Sequence, residues 1–268
     1  MGPVGFFANE PDLVALVTGA GAGIGAATAQ RLVGEGIRRL VLTDRDPASL
    51  TATAATLGLD ERDVMTAAFN VADETAWNAN AKVIRERFGR LDLAVANAGV
   101  GSSATIAEGS FAEWRRIMST NLDGVFLTLK TCMRLIAEGR QGGSIVVVSS
   151  VSGIKARPGT AAYGTSKAGV KQLAKVAALE GAPDGIRVNA ILPGIVGTAL
   201  WRDVPVFRDL LAKTGSEQAA IAAMAAMAQP SGRSSTPDEI AGQIAFLLSE
   251  TAANITGAEL RTDGGYAI

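Results

Sequence analysis

The chain has 268 residues, 48 % of them apolar, with 25 basic against 26 acidic side chains. So even a balance argues against nucleic acid or an anionic membrane as partner, because both select a basic surface. There is no histidine, which excludes a Ser-His-Asp hydrolase, a His-ligated zinc centre and a histidine general base; no metal site is expected.

In chain order, the first residues, MGPVGFFANEP, carry neither the basic stretch nor the long apolar stretch of a secretory leader. No apolar run approaches the roughly 20 residues of a membrane helix. The single cysteine, Cys132, has no intrachain partner and reads as an inert core thiol in a reducing compartment. A cytoplasmic protein is expected.

Leu13–Thr18 reads as a first strand, followed at once by Thr18-Gly19-Ala20-Gly21-Ala22-Gly23-Ile24-Gly25 and a helix. Glycines after a strand and before a helix bring backbone N–H groups close to a pyrophosphate at the helix N-terminus. A second strand, Leu40–Asp44, ends on an acid about 20 residues beyond the last glycine. An acid there accepts from both adenosine ribose hydroxyls and repels a 2′-phosphate. Asp44 therefore favours NAD, as does Ala22, which offers no cation to a phosphate. Arg45 dissents, since a guanidinium beside the ribose pairs with phosphate.

Further strands are expected at Val64–Ala68, Leu91–Ala96, Ser144–Ser149, Arg187–Leu192 and Glu259–Thr262, separated by helices of about 11–25 residues. Continuously apolar runs suit parallel strands covered on both faces, so the fold class is α/β, a doubly wound parallel sheet of about seven strands in a single domain. Tyr163 and Lys167 stand four apart at the start of an alanine-rich helix and so share one face. A cation there stabilises a phenolate and lowers the phenol pKa, which makes Tyr163 the best-placed proton-transfer group in a chain without histidine. Ser149 and Ser150 end the fifth strand, at the sheet edge where ligands bind. Thr198–Arg233 breaks the strand–helix rhythm and is a candidate substrate lid; a plain surface excursion is the alternative.

Together these motifs resemble the short-chain dehydrogenase/reductase family in its compact form. The match runs from Val14 to Gly265: the glycine turn, Asp44, Asn70-Val71, Ala96-Asn97-Ala98-Gly99, Asn121, the serine, Tyr163-x-x-x-Lys167, Pro193-Gly194-x-x-x-Thr198 and Asp263-Gly264-Gly265. The resemblance implies a Rossmann-type fold and hydride transfer between a nicotinamide cofactor and an alcohol or carbonyl. Tyr163 would be the general acid/base, and Lys167 would bind the nicotinamide ribose. Ser150, 13 residues before the tyrosine, would polarise the substrate oxygen, and Asn121 would hold a relay water. Cofactor contacts would come from Gly19, Gly23, Ile24, Gly25, Asp44, Arg45, Asn70, Val71, Asn97, Ala98, Gly99, Pro193, Gly194, Val196 and Thr198, besides Tyr163 and Lys167. Two positions depart from the family pattern: Asn70 stands for the usual Asp, and Ala96 for the first Asn of its motif.

The apolar lid suggests a fairly apolar secondary alcohol or ketone, cyclic or aromatic in character, with Ser102, Ser152, Ile154 and Trp201 as pocket candidates. Family helices matching Asn121–Ala137 and Tyr163–Leu179 imply a homotetramer. The alternatives are an NADP-linked 3-oxoacyl-carrier-protein-type reductase and a dinucleotide sensor without catalysis.

Overall fold

The short apolar runs lie side by side as strands. The computed structural model describes residues 5–101 and 103–268, the side chain of Asp203 excepted. Among them, β1 (Val14–Thr18), β2 (Arg39–Asp44), β3 (Val64–Ala68), β4 (Leu93–Ala96), β5 (Gly143–Val148), β6 (Ile186–Pro193) and β7 (Glu259–Thr262) form one sheet ordered β3-β2-β1-β4-β5-β6-β7. Every pairing is parallel, so each connection must cross over, and helices make most of the crossings. They are α1 (Gly23–Gly34), α2 (Pro47–Ala55), α3 (Glu74–Phe88), α4 (Phe111–Met118), α5 (Gly124–Gly139), α6 (Ala161–Gly181), α7 (Pro205–Thr214), α8 (Glu217–Ala228) and α9 (Pro237–Leu248).

Side chains alternate across each strand and feed two cores. Leu16, Val41, Ala94, Val147 and Ala190 pack with Trp77 of α3, Cys132 of α5 and Val170 of α6. Val17, Leu42, Val95 and Ile191 point the other way, onto Leu32 of α1, Leu50 of α2 and Ile244 of α9. The doubly wound Rossmann-type sheet is therefore present, with helices on both faces. Cys132 is fully buried, and burial pushes its thiol up to about 12, as an inert core thiol requires.

Three details differ from expectation. The edge strand β3 alternates, with Met65 and Ala67 buried but Thr66 and Ala68 exposed, because its outer position leaves one face uncovered. The fourth strand starts at Leu93 rather than Leu91, since the buried Asp92 carboxylate accepts from the Val14 N–H at 2.8 Å and pairs with Arg90. α2 and α4, of nine and eight residues, are shorter than the helices foreseen.

The segment 198–233 folds into a 3₁₀ turn, α7 and α8. Phe207, Ala220, Ile221, Met224 and Ala225 form an apolar cluster of their own with Ile195. Much of the hydrophobic character there is thus satisfied internally. No helix among the described residues is long and apolar enough to cross a membrane.

Candidate active site

The strand order reverses between β1 and β4, and the carboxyl ends of these strands border a crevice of the kind that binds ligands in open α/β sheets. After β1 the chain turns through Gly19 at φ 64°, a conformation that disfavours other residues. A Cβ on Gly19 would also lie 2.9 Å from Ala98 Cα and Asn97 Nδ2. Helix α1 opens behind this turn, and its N-cap, Ala22, makes no side-chain hydrogen bond. Its first N–H groups therefore keep no side-chain partner, which suits an anion such as a diphosphate. Ile24 packs inward and Gly25 abuts the Gly19 carbonyl, so helix and turn are locked together.

Thr198 reaches across this helix end: a Cβ on Gly23 would sit 3.2 Å from its Cγ2. Leu200 continues the span, with Cδ1 3.4 Å from a Cβ placed on Gly101. The start of the 198–233 segment therefore bridges the loops after β1 and β4. Pro193 closes β6, and Gly194 packs against Asp263 with its N–H on the Thr262 carbonyl at 2.9 Å. Val196 bridges to Ser235, and its carbonyl accepts from the Trp201 indole at 2.8 Å.

At the end of β2, the Asp44 carboxylate accepts from the Gly21 N–H at 3.0 Å and the Asp46 N–H at 3.2 Å. Two backbone donors aim it, and its remaining lone pairs are available to ribose hydroxyls. Arg45 beside it is exposed. Asn70 is exposed, with Oδ1 on the Ala72 N–H at 3.1 Å. The Val71 side chain, by contrast, is buried in the core with α3 and α5, so only its backbone can face a cofactor. Asn97 bonds to the glycine turn. Its Nδ2 donates to the carbonyls of Thr18 at 2.9 Å and Gly19 at 3.2 Å, while the Thr18 hydroxyl accepts from the N–H groups of Asn97 and Ala98. Asn97 braces the glycine turn.

The four catalytic candidates do come together. Lys167 and Asn121 are both buried, and a Cβ on the exposed Gly99 would lie 3.4 Å from Lys167 Nζ and equally from Asn121 Oδ1. Lys167 Nζ sits 5.8 Å from the Tyr163 ring centroid and donates to the Val148 carbonyl at 2.8 Å. Asn121 lies in a π-helical turn, Ser119–Asp123; its Oδ1 accepts from Val100 N–H at 2.8 Å and its Nδ2 donates to Val100 O and to Ser166 Oγ. The two serines differ in their partners. Ser149 spends its hydroxyl on the Lys167 carbonyl at 2.8 Å, whereas the Ser150 hydroxyl accepts from Ser152 N–H at 3.1 Å and acts on the Tyr163 phenol.

Burial governs the titration of the pair. It pushes the Tyr163 phenol above its ordinary value, opposed by the Ser150 side chain, and it pushes Lys167 down to about 8. Desolvation thus sets the phenol, in place of the expected lowering by the lysine.

The substrate candidates are less concentrated. Ser152 adjoins Ser150 and is partly buried. Trp201 packs partly into the α7/α8 cluster. Ile154 borders a groove of about 560 Å³ along β7, with Lys155, Glu259, Arg261, Ala267 and Ile268. Ser102 lies outside the described residues. Thr18 and Ser166, the braces of the turn and of Asn121, were not singled out from sequence; Thr18 at least stands inside the glycine motif.

Residues 19–267 match a family model of short-chain dehydrogenases described as enoyl-(acyl carrier protein) reductase. The chain belongs to the short-chain dehydrogenase/reductase family. It is 37 % identical over 256 residues to cis-4-hydroxycyclohexanecarboxylate dehydrogenase of Sinomonas cyclohexanicum, covering 95 % of this chain and 96 % of that protein. It is 38 % identical over 255 residues to D-threitol dehydrogenase of Mycolicibacterium smegmatis, covering 95 % and 93 %. The crystal structure of levodione reductase superposes with a TM-score of 0.85 at 33 % identity, covering 96 % of this chain and 98 % of that one. As a member of this family the protein is an oxidoreductase of alcohol and carbonyl groups that binds a nicotinamide dinucleotide.

Proposed function

We propose that the protein interconverts a fairly apolar secondary alcohol and its ketone with NAD(H), and that Tyr163 handles the proton. One observation carries this reading: the buried Lys167 amine stands 5.8 Å from the Tyr163 ring centroid, on the same face of α6. The nicotinamide, when bound, supplies or accepts the hydride. Tyr163 gives its proton to the carbonyl oxygen in reduction and takes the hydroxyl proton in oxidation. Ser150 orients and polarises that oxygen. Lys167 has three donors and spends one on Val148, which leaves the others for ribose hydroxyls and for proton exchange. Asn121 keeps one lone pair of Oδ1 for a relay water.

Gly19 and the first turn of α1, from Gly23 to Gly25, would hold the diphosphate. Asn70 and the Val71 backbone would flank the adenine, Asn97 to Gly99 would line the cleft, and Pro193 to Thr198 would wrap the nicotinamide end. Asp44, fixed by two backbone donors, favours a free 2′-hydroxyl and hence NAD; the exposed Arg45 is what supports the NADP-linked acyl-carrier reductase as second reading. For the substrate, support comes from Leu200 and Trp201 at the mouth of segment 198–233, which we read as a lid on a single domain of 268 residues. A pure sensor would have no use for the tyrosine. Exposed Phe126, Val176 and Leu179 on α5 and α6 support the homotetramer, and the one buried thiol suits the cytoplasm.

A screen of alcohols and ketones of graded polarity, read by cofactor absorbance with NAD and NADP, tests the reading. Tyr163→Phe should abolish turnover and leave dinucleotide binding intact, and Asp44→Ala should relax the preference for NAD. Preference for polyols would overturn the substrate class, and unchanged turnover in Tyr163→Phe would overturn the mechanism.

A further inference from the structure

Gln229 closes α8 and is 4 % exposed, yet its side-chain amide is fully engaged. Oε1 accepts from the Ile195 N–H at 2.8 Å, and Nε2 donates to the Arg233 carbonyl at 3.0 Å. The first bond matters because of where Ile195 stands. β6 has ended at Pro193, and the Gly194 N–H is taken by Thr262 on β7. The N–H groups of Gly197 and Thr198 are held by backbone carbonyls, those of Ser235 and Val196. Ile195 is thus the point in Gly194–Thr198 where a side chain, that of Gln229, replaces backbone as the partner. A buried N–H there has no ladder to join, and without the glutamine it would be left unpaired.

The same side chain therefore holds two things at once: the exit of α8 and the root of the loop that carries Val196 and Thr198 over the end of α1. We propose that Gln229 is a positioning residue, a latch that fixes the loop against the nicotinamide half of the bound dinucleotide and couples it to the 198–233 segment. The inference rests on the cofactor reading above. It differs from a merely structural role in being directional: the adenosine half meets Gly19, Asp44 and Asn70, which Gln229 does not touch.

The test compares two probes by isothermal titration, the intact dinucleotide that the wild-type protein binds more tightly (NAD or NADP) and its adenosine half alone as the truncated form (AMP or 2′,5′-ADP). Gln229→Met, of similar volume but with neither hydrogen bond, should bind the intact dinucleotide about tenfold more weakly, the worth of one ordinary net hydrogen bond. Affinity for the truncated probe should stay within about twofold, well inside the tenfold that 1.4 kcal/mol represents. If Gln229→Met does not fold, Gln229→Asn, whose amide is one carbon too short, takes its place. Equal loss for both probes, or no loss for either, overturns the latch. Wild-type protein that binds neither probe overturns the cofactor reading and the latch with it.

Discussion

Lys167 is 3 % exposed and spends one donor on Val148, so its charge is held at a cost. An amine at about 8 in the folded protein and near 10.5 when unfolded binds fewer protons in the native state between those values. Stability from this group therefore rises with pH from about 8 to 10.5, and at pH 7 the protein carries the penalty in full, on the order of 3 kcal/mol. Lys167→Met is expected to be inactive yet to melt no lower than the parent at pH 7, with its advantage shrinking toward pH 10.5. Calorimetry at both pH values checks this; a variant melting well below the parent at pH 7 counts against a buried charge. The two serines make a second test. Ser150→Ala should lower kcat by about 10²-fold, as loss of a polarising donor does. Ser149→Ala should keep near-normal kcat and lose about 1 kcal/mol of stability with its bond to the Lys167 carbonyl; steady-state kinetics and thermal melts on both variants decide it. Residue type and spacing made Tyr163, Lys167 and Ser150 readable in the sequence. They could not tell that Val71 faces the core, that Asn97 braces a turn, or that desolvation raises the phenol, because each depends on what other strands and helices bring alongside.

Among the elements, the junction of β1 with α1 is the least tolerant of change. A Cβ on Gly25 would overlap the carbonyl oxygen of Gly19, a backbone atom that cannot swing aside. Gly25→Ala should push α1 away from the turn and weaken dinucleotide binding by at least about tenfold, or 1.4 kcal/mol, measurable by titration calorimetry. Strands were legible to within a few residues because continuous apolar runs between turn residues mark buried parallel strands. The misses fell at the edges, where β3 has a wet face, and at β4, where an aspartate side chain takes the place of a ladder partner. The internal cluster of α7 and α8 was not legible either. An alanine-rich, methionine-bearing stretch has the same pattern whether it packs on itself or on a ligand.

For the molecule as a whole, part of the uncovered apolar surface lies on two neighbouring helices. Leu179 is 79 % exposed at the end of α6, with Val176 on the same helix and Phe126 on α5 also open to solvent. Apolar surface of this kind on packed helices suits a symmetric interface between copies. Light scattering should give a tetramer for the parent and a smaller species for Leu179→Asp; a stable monomeric parent would rule the assembly out. Composition and motif order foretold the architecture of the sheet, but composition alone could not say which apolar residues would stay outside it.

The deeply seated Cys132, with its thiol raised to about 12, leaves the native chain silent toward maleimides and other sulfhydryl probes. A reporter cysteine introduced at the solvent-facing Met227 of α8 would thus be labelled alone, so its surroundings with and without dinucleotide could be compared by fluorescence without first engineering away any background.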